Sequence, residues 1–295
     1  MARLAVGPGP CVRACTVVIV PGLGSAPEEW AAVLDALPPG VATLTIDPAD
    51  SPRLRDPAAW SPDAVASRLA MRVAGSPRPL LLVGHSSGGL HVQAYLYSRT
   101  LPGGGAGDSG TVSPVVGAVL VDASHQVAVR PVPAVLTGTA RAIAEVVLAT
   151  GVMALLGPWL RVVAVWATSV RRRDRMTSDM IRAVYSSQAW ARTTLDAWLG
   201  HGRLQAGVLD WHRERGAPRV AVRLIVGAAG TGRGRAGWIA TQRDLARRLG
   251  APDPTLLDDA GHLVTIDRPD AVVTAIQEFL HLVDAEQPPR PGSSH

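Results

Sequence analysis

The chain has no lysine and no asparagine among its 295 residues, so all 29 of its fully cationic side chains are arginines. With 30 glycines and 24 prolines, this bias indicates the codon usage of a GC-rich genome. The formal charge of +5 could suit an anionic partner. However, the one dense basic cluster, at 171–175, lacks interleaved aromatic residues and any recognisable nucleic-acid module. We therefore predict a solvated face there and no nucleic-acid partner.

Cysteine is also scarce, since Cys11 and Cys15 are the only two. Two cysteines are too few for a zinc site and are poorly spaced for a disulfide framework. No motif for a metal or an organic cofactor is visible, so we predict that neither is required.

A long unbroken apolar run is missing as well. The segment 146–166 is strongly apolar, but Gly157 and Pro158 interrupt it and Arg161 lies inside it. It therefore offers no uninterrupted span of ~20 apolar residues. We favour a pair of helices that bury their apolar face against a binding site, which would suit an apolar acyl or alcohol group. A transient membrane contact through this segment remains an alternative.

The order of patterns along the chain predicts one α/β domain with an insertion. Apolar strands alternate with helical stretches through 16–125 and again through 218–283, which predicts a mostly parallel sheet flanked by helices. We assign 1–125 and 215–295 to this core. Strand signals vanish over 126–214, where we predict a helical cap. Because residues 1–15 leave little room for an opening hairpin, we expect six strands and a remnant. The polar, Pro-rich tail 286–295 is expected to be disordered.

The most informative stretch is Gly84-His85-Ser86-Ser87-Gly88, which directly follows the apolar run Leu80–Val83. This is a G-x-S-x-G pattern between a strand and a helix, in which small residues permit a strained turn that exposes the serine. We therefore predict Ser86 as a nucleophile. A chance surface turn is the alternative, but the flanking strand and helix patterns disfavour it.

A second turn follows the predicted strand Thr16–Val20 as Pro21-Gly22-Leu23-Gly24-Ser25. Acyl transfer needs donors fixed where the carbonyl oxygen becomes negative, and backbone amides fulfil this need. We assign the N–H groups of Leu23 and Ser87 to such an oxyanion hole.

His262 is the candidate base, because a serine hydroxyl needs a group that takes its proton and later returns it. It follows the short strand Thr255–Leu257 in a Gly-His turn and precedes a helix that opens at Pro269. Six other histidines are interpreted as packing or surface residues: His85, His91, His125, His201, His212 and His281.

With these motifs in this order, the chain resembles the α/β-hydrolase superfamily over nearly its whole length. It is most similar to small esterase-type members whose oxyanion loop has the form Pro-Gly-x-Gly-Ser. The resemblance implies an α/β-hydrolase fold with a helical cap, and a Ser86–His262 pair completed by an acid.

The acid is where the resemblance is incomplete. In many relatives it follows the strand that comes after the cap, here 220–226, but the glycine-rich run after that strand contains no acid. We interpret this run, 227–237, as a loop, because its spacing fits no nucleotide-binding motif. Other relatives carry the acid at the end of the preceding strand, where Asp122 lies. Asp122 is therefore the candidate, with a structural aspartate that caps the turn as the alternative.

Three functions remain open. The favoured one is a serine hydrolase that cleaves carboxylic esters through an acyl-enzyme at Ser86. The others are an acyl-transfer or lactone-forming enzyme and a small-molecule binding protein without turnover. The first 26 residues mimic a secretory signal, but cleavage there would remove Pro21–Ser25, so we expect a cytoplasmic protein.

Overall fold

The structure is a computed structural model that describes residues 4–5, 15–47, 54–77, 79–99, 115–129, 134–230 and 233–285. Cys11 and the tail 286–295 lie outside the described residues. The expectation of a disordered tail therefore stays a prediction.

A single sheet forms the centre of the molecule. Its strands are β1 (Leu4–Ala5), β2 (Thr16–Val20), β3 (Ala42–Thr45), β4 (Leu80–His85), β5 (Val115–Val121), β6 (Val222–Gly227) and β7 (Thr255–Leu257). Their spatial order is β1-β3-β2-β4-β5-β6-β7. Six strands pair in parallel, and only the two-residue β1 runs antiparallel to its neighbour β3. The predicted sheet of six strands and a remnant is confirmed.

Helices cover both faces of the sheet, as two-sided burial of its strands requires. They are α1 (Ala31–Leu34), α2 (Pro62–Val73), α3 (Ser87–Ser98), α4 (Ala134–Ala149), α5 (Met153–Thr168), α6 (Ser178–Tyr185), α7 (Gln188–Glu214), α8 (Arg233–Leu249), α9 (Val264–Asp267) and α10 (Pro269–Ala285). Helices α2, α3, α7 and α8 share one core with the sheet, whereas α1 and α10 pack in the other.

Alternation along the strands supplies both cores, because successive side chains of a strand point to opposite faces. In β2, Val18 and Val20 belong to the first core, whereas Val17 and Ile19 belong to the second. All four are fully or almost fully buried. The parallel register brings the carboxyl ends of β2, β4, β5 and β6 to one edge, where open α/β sheets bind their ligands.

The glycine-rich run after β6 is a correction to the sequence interpretation. Helix α8 begins at Arg233, inside the run interpreted as a loop, so Gly234 and Gly237 are helical and the loop is shorter than predicted. A glycine inside a helix costs about 1 kcal/mol relative to alanine, and the long helix tolerates both.

The four helices α4 to α7 lie between β5 and β6 and are called the helical insertion below. The prediction that α4 and α5 bury an apolar face against a binding site is wrong. Leu155, Trp159 and Trp166 are exposed by 80%, 59% and 59%. Among the described residues, no single helix has both the length and the apolar character to cross a membrane. The segments Leu136–Ala149 and Met153–Thr168 meet that test only as a pair bent by 113°.

Candidate active site

Ser86 occupies a strained turn between β4 and α3. Its backbone has φ 51° and ψ −122°, outside the regions that side chains favour. Close packing around the turn requires glycine on both sides of Ser86. A Cβ on Gly88 would lie 2.1 Å from the carbonyl oxygen of Val20. A Cβ on Gly84 would lie 2.8 Å from the Cα of Gly89. The two glycines of the pattern therefore let the helix turn back onto the sheet and leave Ser86 at its edge.

His262 lies on the loop after β7 and meets Ser86 directly. Its Nε2 is 3.0 Å from the Ser86 Oγ, so a neutral imidazole can accept the hydroxyl proton. The loop approaches because β6 ends in a glycine: a Cβ on Gly227 would lie 1.8 Å from the carbonyl oxygen of Gly261. The His262 side chain is 35% exposed, which leaves the imidazole accessible from one side.

Asp122, at the end of β5, lies on the other side of the imidazole. The His262 Nδ1–H donates to its Oδ2 over 2.6 Å, while the carboxylate is only 1% exposed. Its Oδ1 accepts from the backbone N–H of Gly227 at 3.1 Å and from the indole Nε1–H of Trp238 at 2.8 Å. The buried charge is thus met by three donors, as such a charge requires. Although no acid follows β6 in the sequence, His262 therefore has a carboxylate partner in Asp122.

His85 forms a hydrogen bond with the loop that carries His262. It is buried, and its Nε2–H donates to the backbone carbonyl oxygen of His262 over 3.0 Å. Burial, and then the nearby positive charge that His262 can carry, lower the pKa of His85 to about 4. It therefore stays neutral and keeps this hydrogen bond at ordinary pH. The sequence interpretation of His85 as a packing residue misses this contact.

The turn after β2 lies directly on Ser86. A Cβ on Gly22 would come within 3.1 Å of the Ser86 Cβ, and Leu23 and Ser87 line the same cavity. Ser87 is the first residue of α3, so its N–H has no partner within the helix. The two predicted backbone donors are thus near Ser86.

Side chains of the helical insertion hold this turn from outside. The indole Nε1–H of Trp190 donates to the carbonyl oxygen of Gly24 over 3.0 Å. Just beyond the turn, buried Glu29 accepts from the backbone N–H of Ala26 at 2.9 Å and from the Tyr185 hydroxyl at 2.6 Å. The Arg161 guanidinium, 2.9 Å from Glu29, balances the buried carboxylate.

A second anchor joins the helical insertion to the His262 loop through Asp267. This buried carboxylate accepts from the backbone N–H of Gly261 at 2.8 Å and from the Ser169 hydroxyl at 2.5 Å. It also accepts from the backbone N–H groups of Val170 and Arg171, both at 3.0 Å. Burial opposes its ionisation, but these donors outweigh burial and lower the pKa of Asp267. The end of α5 and the turn before His262 therefore share one buried charge.

Two concavities flank the Ser86–His262 pair. On the Leu23 and Ser87 side lies a cavity of about 280 Å³ between α2 and α7. Its wall includes Leu54, Trp60, Val65, Leu69, Ile46 and Ala197, with Arg68, His91 and Asp196 as polar members. On the His262 side, an open groove of about 510 Å³ runs past Trp238 and Arg235. Within the described residues, no group of three or more His, Cys, Asp and Glu side chains could hold a metal ion.

All five predicted site residues thus lie at one edge of the sheet. Sequence patterns alone missed the residues that hold them in place. Trp238 and Trp190 contact partners 116 and 166 residues away in the sequence, and Asp267 joins Gly261 to Ser169, 98 residues away. No local motif marks such contacts. His85 was discoverable, because it is the variable position next to Ser86 in the elbow pattern.

Comparison with known proteins identifies the family of the chain. A family model described as the alpha/beta hydrolase family matches residues 17–275. A search of curated proteins gives no match. Solved structures of similar fold include a protein described as an aryl esterase from Burkholderia cenocepacia, at 17% identity and TM-score 0.60, with coverage of 97% of this chain and 100% of that one.

Two further solved structures show how diverse the similar proteins are. MenH from S. aureus is 15% identical with a TM-score of 0.61, and the match covers 96% of this chain and 98% of that one. The epoxide hydrolase CorEH is 14% identical with a TM-score of 0.60, and the match covers 96% and 99% of the two chains. At such identities the likeness establishes the fold and leaves the reaction to be argued from the site.

Proposed function

The chain belongs to the alpha/beta hydrolase family, and from that premise we propose that it is a serine hydrolase that cleaves carboxylic esters through an acyl-enzyme at Ser86. The observation that carries the proposal is the continuous hydrogen-bonded line from Ser86 Oγ through both ring nitrogens of His262 to Asp122. A fold shared by many chemistries does not require this line, whereas acyl transfer by a serine does.

The first half of the reaction forms the acyl-enzyme. His262 Nε2 takes the proton from the Ser86 hydroxyl as Oγ attacks the ester carbonyl carbon. The carbonyl oxygen becomes negative, and the backbone N–H groups of Leu23 and Ser87 donate to it. The tetrahedral intermediate collapses, the C–O bond to the alcohol breaks, and the imidazolium returns its proton to the leaving oxygen.

Water completes the cycle by the same steps. His262 takes a proton from water, the hydroxide oxygen attacks the acyl carbon, and the proton returns to Ser86 Oγ as the acid departs. During both steps Asp122 keeps the Nδ1–H of the imidazole pointed at itself and stabilises the imidazolium. Its two further donors, from Gly227 and Trp238, hold the carboxylate in one orientation.

The cavity beside Leu23 and Ser87 is the proposed acyl site. Its wall is mainly apolar, through residues such as Leu54, Trp60 and Leu69, which favours an apolar acyl group of limited size. The open groove past Trp238 is the proposed exit for the alcohol. The proposal thus keeps the apolar substrate group expected from the sequence. It places the site for that group between α2 and α7 instead of against α4 and α5.

The experiment is covalent labelling of Ser86. We expect intact-mass spectrometry to show one fluorophosphonate adduct on the native protein and none on Ser86→Ala. We also expect p-nitrophenyl esters to be hydrolysed, with a preference for short to medium acyl chains. Ser87→Ala is the matched control, since it removes a neighbouring hydroxyl but keeps the backbone N–H, and it should still be labelled.

The same assay separates the two remaining hypotheses. An adduct on Ser86 without ester hydrolysis, combined with product formation when an alcohol is added, would support acyl transfer. No adduct and no turnover would support a binding protein. The 35% exposure of His262 favours hydrolysis over transfer, because water can reach the imidazole.

A further inference from the structure

The outward surface of α4 and α5 is apolar, and none of the described residues covers it. Leu155, Trp159, Val162 and Trp166 recur at helical spacing along α5, and their exposed fractions are between 54% and 80%. On α4, Ile143 and Val146 are exposed by 62% and 69%. We call these six residues the apolar face. Large apolar side chains exposed in this number along two consecutive helices mark an interaction site rather than ordinary scatter of single residues.

The charged side chains of these two helices point away from the apolar face. Arg141 forms an ion pair with Asp196 of α7, and Glu145 lies 3.4 Å from Arg55. Arg161 is buried against Glu29. These three are the only charged residues that the two helices contain. The apolar face therefore carries no charge of its own.

Positive charge borders the apolar face instead. Arg171, Arg172 and Arg173 lie three to five residues after the end of α5, and all three are exposed. The Arg172 guanidinium lies 5.1 Å from the ring centre of Trp166, which joins this border to the apolar face. The nearby acid, Asp174, is turned inward against Arg161. Within the described part of the chain, neither Arg172 nor Arg173 forms an ion pair.

We propose that the apolar face and its arginine border dock on an anionic lipid surface. Exposed tryptophans beside arginines are suited to the boundary between acyl chains and negatively charged headgroups. Each helix of 16 residues is about 24 Å long, shorter than the ~30 Å hydrocarbon core. With a bend of 113° between them, the pair lies on the membrane rather than crossing it.

Charge complementarity favours lipid over a second copy of the chain. A lipid surface supplies the negative charges that Arg172 and Arg173 lack among the described residues. The apolar face of another copy would bring a second set of arginines and no unpaired acid of its own. Docking does not depend on the proposed ester hydrolysis, so it can be tested on the protein irrespective of turnover.

The test is flotation of the full chain with extruded vesicles of phosphatidylcholine, with and without phosphatidylglycerol. We expect binding that requires phosphatidylglycerol and weakens as salt rises. In the variant Trp159→Ser with Trp166→Ser, we expect vesicle affinity to fall by about tenfold or more. Trp198→Ser is the matched control, because Trp198 on α7 is equally exposed, at 60%, but lies off the apolar face.

A second pair of variants tests the arginine border. Arg172→Gln with Arg173→Gln should abolish the preference for phosphatidylglycerol. Arg213→Gln with Arg247→Gln removes the same net charge from α7 and α8 and should retain that preference. Thermal melts by circular dichroism confirm that each variant is folded, which is expected because every substituted side chain is exposed.

Two results would overturn the proposal. One is vesicle binding that is equal in the native protein and the double-tryptophan variant. The other is a dimer in sedimentation velocity without lipid that the double-tryptophan variant converts to a monomer. That outcome would assign the apolar face to a second copy of this chain.

Discussion

Trp238 donates its indole Nε1–H to the Oδ1 of Asp122 over 2.8 Å, while the Oδ2 of the same carboxylate accepts from His262. Helix α8 thus reaches back across the sheet edge to orient the acid that ends β5. The acid and its support come from segments on either side of the helical insertion, so the candidate site depends on the closure of the whole fold.

Asp122→Asn should reduce kcat by about 10³-fold or more, because the amide can hold the wrong tautomer of His262. The thermal midpoint should change little, since an amide of the same shape keeps one oxygen for its donors. Ester hydrolysis and circular dichroism measure the two quantities. Near-normal turnover would instead assign Asp122 to a purely structural role.

Trp238→Phe should reduce kcat by about fivefold to tenfold, because one hydrogen bond to a charged group of about 1 kcal/mol or more is lost. KM should stay within a factor of about two if the indole acts only through Asp122. Trp198→Phe serves as the comparison, since that exposed residue makes no contact with the carboxylate. A rise in KM with unchanged kcat would mean that the indole acts through contact with the substrate in the groove it lines and not through Asp122.

Asp267→Asn tests the anchor between the helical insertion and the His262 loop. The buried carboxylate accepts from four donors, so loss of its charge should lower the free energy of unfolding by about 2 kcal/mol. It should also lower kcat, because Gly261 immediately precedes His262. Asp259→Asn, at an exposed ion pair with Arg268, should change neither. Unchanged kcat in Asp267→Asn would limit its role to stability.

Gly227→Ala should abolish turnover, because the new methyl group would overlap the carbonyl oxygen of Gly261 and displace His262. Gly237→Ala is its counterpart within α8, where nothing lies within 4 Å of the added Cβ. That change should stabilise the fold by roughly 0.5–1 kcal/mol and leave kcat intact. Urea unfolding together with ester hydrolysis distinguishes the two variants.

His212 predicts how stability depends on pH. Its ring is buried on α7 and makes no side-chain hydrogen bond in the described part of the chain. Burial, and then the charge of His125, lower its pKa to about 3. The unfolded chain therefore binds a proton from about pH 6.5 downward, whereas the folded chain does not until about pH 3.

Stability should accordingly be full above pH 6.5 and decline as the pH falls, by about 2 kcal/mol for this residue at pH 5. His212→Phe should flatten that part of the profile in urea titrations at pH 7 and pH 5. A variant profile as steep as that of the native protein would mean that other groups cause the acid sensitivity.

The sequence was sufficient to locate the chemistry of this site but not its supports. Ser86, Leu23 and His262 lie in local turns with glycines at fixed positions, and such turns are visible as patterns. Asp122 could only be proposed as one of two interpretations, because its partner Trp238 comes 116 residues later. The outward orientation of Trp159 and Trp166 was predicted wrongly, since helical periodicity gives an apolar stripe but not which side faces the core.

The contact between Gly261 and Thr168 has a consequence for engineering. A Cβ on Gly261 would lie 2.2 Å from the carbonyl oxygen of Thr168, and the N–H of Leu263 points at the same oxygen. The backbone at the end of α5 therefore packs directly against the turn before His262. The helical insertion therefore cannot be exchanged freely. A chimera that replaced it with a shorter connection would lose the backbone contact that positions the loop of His262.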